Sequence, residues 1–202
     1  MQSRDPDARA LGRSRAMSGI DIQPLTPDRW RDFETLFGPN GASGGCWCMW
    51  WRIGRQYQAR GSKANKASFK RIVKKGPPPG LLAYNGGIPV GWCQITPRSA
   101  IPYLERSRVL ARVDDVPVWS VSCFYIRRGH RRKGVMTALI RAAVKFAKAH
   151  GAPALESYPW DAKGKPGSAG TYTGVSTAFD KAGFKEVARR SADRPIMRRV
   201  FR

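Results

Sequence analysis

The sequence of 202 residues is 42% hydrophobic and carries 37 Lys and Arg against 14 Asp and Glu, a formal net charge of +23 at pH 7. This length and composition suffice for one buried core, which excludes a disulfide miniprotein, and the positive charge predicts an anionic partner such as a phosphate, a nucleic acid or an acidic lipid. The four cysteines are too few for a secreted disulfide scaffold, and no stretch reaches the roughly 18 apolar residues of a membrane span.

The N-terminal residues differ in pattern from the rest of the chain. Residues 1–18 are polar and aperiodic, which predicts a disordered basic tail before a single folded domain over 19–202. Met17 is a second candidate start. Because this stretch lacks the apolar core of a signal peptide, we expect a cytoplasmic protein.

The first half of the folded region predicts strands and helices bounded by Gly and Pro. The pattern favours a strand over 20–22, a helix between Thr26 and Gly38, a basic helix over 64–75, and strands over 81–84 and 90–95. Asn85-Gly86-Gly87 between the last two strands predicts a β-hairpin. Residues 97–117 carry mixed charge and predict a connection with a short helical turn.

The second half contains the strongest strand and the strongest helix of the sequence. Residues 118–126 form a nearly continuous apolar run, which indicates a strand buried on both faces. A basic turn over 127–133 leads into a helix that starts after Gly134, carries one apolar stripe and ends at Gly151. The remaining predictions are a strand over 154–160, a loop over 161–171, a helix over 173–182, and a strand pair over 184–190 and 196–201.

The turn between the central strand and helix has the chemistry of an anion site. It carries five cations, and Gly134 opens the helix directly after them. Free backbone N–H groups, the positive end of the helix dipole and a glycine that permits close approach therefore coincide. The segment is neither a P-loop nor a dinucleotide fingerprint. A solvated basic turn before an amphipathic helix would show the same residues.

This segment resembles the pyrophosphate motif of the GNAT superfamily of acyl-CoA-dependent N-acyltransferases, Arg/Gln-x-x-Gly-x-Gly/Ala. Arg131 and Gly134 match its first and fourth positions, whereas Met136 stands where a small residue is usual. Leu155-Glu156 resembles the family's fifth strand, and Lys181-Ala182-Gly183-Phe184 resembles the Lys-x-Gly-Phe that ends its last helix. The hairpin resembles the second and third strands. The segment from Gly45 to Arg52, Gly-Cys-Trp-Cys-Met-Trp-Trp-Arg, is similar to an uncharacterised branch of this superfamily.

The resemblance implies a mixed α/β fold: a mostly antiparallel sheet of about seven strands, flanked by about four helices, with the fourth and fifth strands splayed apart. It implies that backbone groups of Phe124, Tyr125 and Ile126 pair with the pantetheine arm of acetyl-CoA. A backbone N–H near Phe124 or Tyr125 would stabilise the oxyanion formed when an amine attacks the thioester. The implied pyrophosphate ligands are Arg131, Arg132, Lys133, Gly134, Val135, Met136 and Thr137.

The catalytic acid and base depart from the family pattern. Phe179 stands where many members have a tyrosine that protonates the leaving thiolate, and Tyr172 is the nearest substitute in the sequence. The thiolate has a cysteine-like pKa of roughly 8.5, so it can also leave without a strong acid. The fourth strand carries serines where members often place a carboxylate. Glu156 is our first choice of general base, with Asp161 as the alternative.

Aromatic residues after the first helix are candidates for the acceptor side. Trp47, Trp50 and Arg52 are predicted to bind the acceptor amine, while core packing is an equal alternative for the tryptophans. Cys46-x-Cys48 lacks the spacing of a zinc pair and has no histidine in ligand-like spacing, so we expect free cysteines and no metal.

The sequence therefore predicts an N-acetyltransferase that moves an acetyl group from acetyl-CoA to a primary amine of a small molecule. Two alternatives stay open: the same fold acting on an RNA-linked or protein amine, and a non-catalytic domain that binds CoA or another protein. The expected partners are acetyl-CoA and the acceptor, with no membrane and with a homodimer left open. Nucleic acid is less favoured because Lys and Arg are spread over the whole chain without an RNA-binding signature.

Overall fold

The computed structural model describes residues 19–161 and 170–201. The predicted tail over 1–18 and most of the predicted loop over 161–171 lie outside the described residues. None of the described helices is long and apolar enough to cross a membrane.

A seven-stranded sheet runs through the described chain in the order β1-β2-β3-β4-β5-β7-β6. The strands are β1 (Asp21–Pro24), β2 (Gly80–Asn85), β3 (Ile88–Pro97), β4 (Trp119–Ile126), β5 (Ala154–Ser157), β6 (Lys185–Arg189) and β7 (Pro195–Val200). All neighbouring strands are antiparallel except β4 and β5, which are parallel. The expected mixed α/β fold with a mostly antiparallel sheet is confirmed.

Six α-helices accompany the sheet within the described residues. They are α1 (Trp30–Phe37), α2 (Trp50–Ile53), α3 (Gln56–Lys75), α4 (Pro102–Glu105), α5 (Val135–Ala149) and α6 (Ser176–Asp180). Helix α3 begins earlier than predicted and bends at Gly61, where φ is 74°. Helix α6 is shorter than predicted because a 3₁₀ turn over Gly170–Thr173 and Gly174, with φ at 81°, precede it.

The two faces of the sheet bury different side chains. Helix α5 covers one face with the aliphatic stripe that its sequence predicts, including the fully buried Leu139 and Ile140. Helices α1 and α3 cover the other face with an aromatic cluster. Phe33 lies at the centre of that cluster, with its ring centroid 4.9 Å from Trp92 and 5.2 Å from Phe69. Rings in such offset and edge-on arrangements add to the stabilisation that burial provides.

Strands β4 and β5 separate after a short paired stretch. Only three residue pairs join them, the last being Val121 with Ser157, while β4 continues to Ile126. Opposite this point β3 pairs Gln94 with Cys123 and Ile95 with Val121, so Ser122 is the extra residue of a β-bulge. Residues 122–126 therefore have no strand on the β5 side, which is the splay that the resemblance implied.

Candidate active site

The first turn of α5 presents free backbone amides beside open space. Gly134 precedes the helix with φ at 77°, and no heavy atom lies within 4 Å of the point where a Cβ on this residue would sit. The amides of Val135, Met136 and Thr137 follow, and amides in a first helical turn have no partner inside the helix. Glycine is favoured here because a side chain would be strained and would project into the space that these amides face.

No carboxylate of the described residues compensates the cations of the preceding turn. Arg128, Arg131, Arg132 and Lys133 are exposed, and none of them forms an ion pair with a carboxylate among the described residues. The Arg131 side chain donates from Nε to the carbonyl of Ile126 at 3.1 Å, which fastens the turn to the end of β4. Free amides, a helix N-terminus and unpaired cations together favour a polyanion.

Met136 is accommodated although the family motif prefers a small residue at this position. Its sulfur lies 3.5 Å from the point where a Cβ on Gly174 would sit, and a ring atom of Phe124 lies at the same distance. Glycine at position 174 therefore leaves room for the methionine, which packs between β4 and the segment before α6.

A cavity of about 540 Å³ opens beside the unpaired edge of β4. This volume is within the range of about 300–1,000 Å³ that small-molecule sites occupy. The walls are mostly aromatic or apolar. The lining residues are Phe37, Ala42, Ser43, Cys46, Cys48, Trp50, Trp51, Tyr57, Gln58, Gln94, Cys123, Tyr125, Trp160, Tyr172, Thr173 and Arg194.

One wall of the cavity is a strained loop between α1 and α2. Ala42, Trp47 and Cys48 have positive φ values of 67°, 43° and 59°, a conformation that non-glycine residues rarely adopt. The buried Asn65 amide of α3 donates to the carbonyls of Gly45 and Tyr57, at 3.0 and 2.7 Å. Such backbone conformations persist where the surrounding contacts enforce them, and α3 supplies these contacts.

Trp51 fastens α2 to the open edge of the sheet. Its indole Nε1 donates to the carbonyl of Ser122, the bulge residue of β4, at 2.8 Å. The Ser122 hydroxyl in turn donates to Gln94 Oε1 at 3.0 Å. Trp50 on the same helix lines the cavity, with its ring 5.6 Å from Tyr57 and 5.4 Å from Tyr103. The cavity is thus built directly against the bulge.

The sequence matches a family model described as the Acetyltransferase (GNAT) family over residues 46–162, more than half of the chain. The chain belongs to the GNAT family. A search of curated proteins gives no match.

Solved structures share the fold over nearly the whole chain. The PaiA N-acetyltransferase of Thermoplasma acidophilum in complex with coenzyme A has 14% identity and a TM-score of 0.53, covering 91% of this chain and 99% of its own. A GNAT acetyltransferase of Streptococcus pneumoniae has 14% identity and a TM-score of 0.52, covering 91% and 100%. An N-acetyltransferase of Staphylococcus aureus Mu50 has 13% identity and a TM-score of 0.51, covering 91% and 99%.

Of the three residues expected to bind the acceptor, the structure brings one to the cavity of this GNAT protein. Trp50 lines it. Trp47 is buried beside Phe37, and its indole donates to Ser62 Oγ at 2.8 Å on the side of α3. Arg52 donates to the carbonyl of Ala100 at 2.6 Å and is not among the lining residues. Both side chains hold the α2 segment in place.

Tyr172 and Phe179, the two positions considered for the catalytic acid, lie in different environments. Tyr172 lines the cavity. Phe179 is fully buried, with its ring 6.1 Å from Phe124 and 5.2 Å from Phe184, so it is a core residue of this GNAT domain.

Glu156, expected as the general base, is the centre of a buried ion-pair network. Arg198 donates to its Oε1 from Nη2 at 2.7 Å, while Arg98 and the Tyr158 hydroxyl approach its Oε2 at 3.3 and 3.0 Å. Burial, with the Glu156 carboxylate beside it, raises the pKa of Tyr158 far above its ordinary value. Glu156 does not line the cavity, and its oxygens are occupied, so this position gives no support to a role as base.

Asp161, the alternative base, lies outside the cavity lining and accepts a hydrogen bond from Arg189 at 2.7 Å. No Asp, Glu or His is found among the described residues that line the cavity. Proton removal from the amine is therefore not assigned to a carboxylate of this site.

Three thiols line the cavity, and all four cysteines are free. Burial raises the pKa of Cys46 to about 11, and it raises the pKa of Cys48 well above the ordinary value. The Trp92 indole donates to Cys48 Sγ at 2.8 Å. Thiols with raised pKa values are poor nucleophiles at neutral pH. Within residues 19–161 and 170–201, no group of three or more His, Cys, Asp or Glu is placed to hold a metal ion.

Most cavity residues escaped the sequence analysis, and two of them, on the C-terminal side, contact each other. Trp160 follows β5, and Arg194 lies in the turn between β6 and β7, with its guanidinium carbon 4.7 Å from the Trp160 ring centroid. The backbone N–H of Asp161 donates to the carbonyl of Asp193 at 2.9 Å, which holds these segments together. Nothing in the sequence separates Arg194 from the other arginines of the C-terminal region.

We predict that Glu156→Gln destabilises the protein through the loss of buried ion pairs, whichever group acts as the base. The substitution leaves Arg98 and Arg198 buried with less counter-charge, which lowers the free energy of unfolding by about 3–5 kcal/mol. The matched control is Glu105→Gln, which removes a partly exposed partner of the same Arg98 and costs about 1 kcal/mol or less. Urea unfolding measures the free energy of unfolding of both variants. Equal decreases for the two would contradict the placement of Glu156 at the centre of the buried ion-pair network.

Proposed function

We propose that this GNAT protein is an N-acetyltransferase that transfers the acetyl group of acetyl-CoA to the primary amine of a small molecule. The observation that supports it most directly is the continuity of the unpaired β4 edge, which leads from the cationic start of α5 to the aromatic cavity. A donor with an anionic end and an extended arm fits this path. The cavity volume and apolar walls favour a small acceptor over a macromolecular one.

Two parts of the chain bind different parts of the donor: the β4 edge takes the extended arm, and the start of α5 takes the pyrophosphate. Residues Phe124, Tyr125 and Ile126 lie beyond the last β4–β5 pair, so an extended arm can lie along this edge in the manner of an added strand. It would pair with the backbone groups that point away from β3, where the Ile126 carbonyl already accepts from Arg131. We assign the pyrophosphate to the first-turn amides of α5 and to the surrounding cations. These residues are Arg131, Arg132, Lys133, Gly134, Val135, Met136 and Thr137.

Bound acetyl-CoA supplies an activated thioester, whose acyl carbon gains a bond to the amine nitrogen as the C–S bond breaks. A backbone N–H of the open β4 edge, near Phe124 or Tyr125, is the group we assign to the carbonyl oxygen. Tyr172 lines the cavity and is our choice of proton donor to the leaving sulfur. Because no carboxylate or imidazole among the described residues lines the cavity, the amine attacks in its neutral form. Its nitrogen passes one proton to water once the C–N bond has formed, and Tyr172 regains its proton from solvent.

The pyrophosphate assignment predicts that Gly134→Val weakens acetyl-CoA binding. The new side chain would be β-branched at a positive φ and would fill the open space before the first-turn amides. We expect the dissociation constant to rise at least about tenfold in a calorimetric titration, because one or more charge-assisted hydrogen bonds are lost.

The other end of the same helix supplies a matched control. Gly151 has φ at 72° and equally open space around a Cβ, so Gly151→Val carries the same backbone strain without touching the proposed site. This variant should bind acetyl-CoA as the wild type does. Equal affinity of the Gly134→Val variant and the wild type would refute the pyrophosphate site.

The assignment of Tyr172 predicts that Tyr172→Phe lowers kcat by about 100-fold near pH 7, since a positioned general acid contributes at least that much. The deficit should shrink above about pH 8.5, where the leaving thiolate no longer needs a proton. Release of the CoA thiol measures kcat. Tyr103→Phe removes a tyrosine hydroxyl outside the cavity lining and should leave kcat unchanged. A constant deficit of the Tyr172 variant across pH would exclude the acid role.

The absence of a carboxylate or imidazole among the described lining residues predicts a characteristic pH dependence. Only the neutral amine attacks, so kcat/KM should rise with pH and level off above the pKa of the acceptor's own ammonium group. The test uses two active acceptors whose ammonium pKa values differ by about two units. The midpoint of the profile should move with the acceptor. A midpoint that is the same for both acceptors would reveal a base on the protein.

A further inference from the structure

We propose that the acceptor is a weakly basic amine that carries a carboxylate on an aromatic frame, and that Arg194 binds this carboxylate. The inference rests on the acyl transfer proposed above and names the class of its second substrate. Three independent features of the cavity lead to it: its charge, its aromatic walls and its lack of a proton acceptor.

Arg194 is the one charged residue among the described residues that line the cavity. Neighbouring arginines already have partners. Arg189 pairs with Asp161 and Glu186, and Arg198 pairs with Asp114 and Glu156. In contrast, the Arg194 guanidinium has no hydrogen bond or ion pair to any residue within the described chain. It is a half-buried cation without an ion-pair partner among the described residues, and the nearby Asp193 carboxylate compensates its charge only in part.

The position of Arg194 suits a planar anion. Its guanidinium lies over the Trp160 ring at 4.7 Å, an arrangement that leaves the N–H groups at the guanidinium edge available. A guanidinium edge matches a carboxylate with two parallel hydrogen bonds. Burial lowers the pKa of Arg194, and the nearby Asp193 carboxylate opposes that change, so desolvation of the cation is only partly offset. One unpaired positive charge matches a monoanionic carboxylate.

The remaining walls specify the frame that carries this carboxylate. Aromatic rings approach from α1, α2, α3, β4 and the turn before α6. They belong to Phe37, Trp50, Trp51, Tyr57, Tyr125 and Tyr172. Rings stack on rings and offer large contact areas to flat apolar groups, whereas this lining has no carboxylate among its described residues to attract an ammonium group.

The titratable groups of the cavity restrict the basicity of the amine. Apart from Arg194, the described lining offers only cysteine thiols and tyrosine hydroxyls, and the pKa values of Cys46 and Cys48 are raised. The amine must therefore enter without its proton. At pH 7.4 an amine of pKa about 8 is about 20% neutral, whereas one of pKa about 10.4 is about 0.1% neutral. The neutral, reactive fraction of the weaker base is therefore roughly 200-fold larger.

Binding of two aromatic probes tests the carboxylate site. Phenylacetate and phenylacetamide share one frame and differ in a single group, a carboxylate in the first and a neutral amide in the second. Titration calorimetry or tryptophan fluorescence reports their binding to the CoA-loaded protein. We expect phenylacetate to bind about 10- to 100-fold more tightly than phenylacetamide, the range for hydrogen bonds to a charged group. In Arg194→Gln this ratio should fall to about one.

A second variant separates local recognition from overall charge. Lys185→Gln removes one positive charge from an exposed position of β6, outside the cavity lining, and should keep the wild-type ratio. Equal binding of the two probes by the wild type, or an unchanged ratio in Arg194→Gln, would overturn the proposal.

Turnover completes the test. With acetyl-CoA as donor, 4-aminophenylacetate should have a higher kcat/KM than 4-aminophenylacetamide, and Arg194→Gln should remove the preference. Acetyl-CoA binding without transfer to either probe would overturn the acceptor class and leave the donor site intact. Failure of the wild type to bind acetyl-CoA would instead overturn the proposed function, so the two failures are distinguishable.

Discussion

The site depends on a single constraint, the early divergence of two parallel strands. Strands β4 and β5 share three residue pairs, after which β4 continues alone to Ile126. An unpaired strand edge inside a domain exposes backbone groups that require partners. Trp51 covers the carbonyl of Ser122, and the cavity begins beside it. The start of α5, the bulge and the aromatic walls are all arranged around this opening.

Strands β4 and β5 are held together by only three residue pairs, and the ion-pair network around Glu156 reinforces this contact. Glu156 is paired with Ser120 of β4 and with Arg198 of β7, and Arg98 reaches it from the chain that follows β3. Two guanidiniums and one phenol therefore bind a carboxylate next to the last residue pair before the strands part. Forming a buried ion pair requires desolvation of both charges, but separating a formed pair leaves a buried charge without a partner and destabilises the protein. The network therefore favours one arrangement of the diverging strands.

Local sequence patterns were sufficient for the strands and for α5, but they missed α2 and the start of α3, and they were insufficient for most of the cavity. The periodicity of α5, the Asn85-Gly86-Gly87 hairpin and the turn before Gly134 are short-range signals, and the structure has each of them. Positive φ values at Trp47 and Cys48 turn Trp47 into the core, which spacing along the chain cannot indicate. Arg194 reaches Trp160 only because β5, β6 and β7 adopt their order in the sheet.

The distribution of charge suggests how an acceptor site can work without its own base. The proposed donor path is lined by exposed cations and a helix N-terminus, and the cavity adds Arg194, in a chain of net charge +23. Positive charge and an apolar environment both disfavour an ammonium ion and lower the pKa of a bound amine. Under the proposed function, the same charges would attract an anionic donor and increase the neutral fraction of a bound amine. The anionic group proposed for the acceptor offsets the repulsion that these charges exert on the incoming amine.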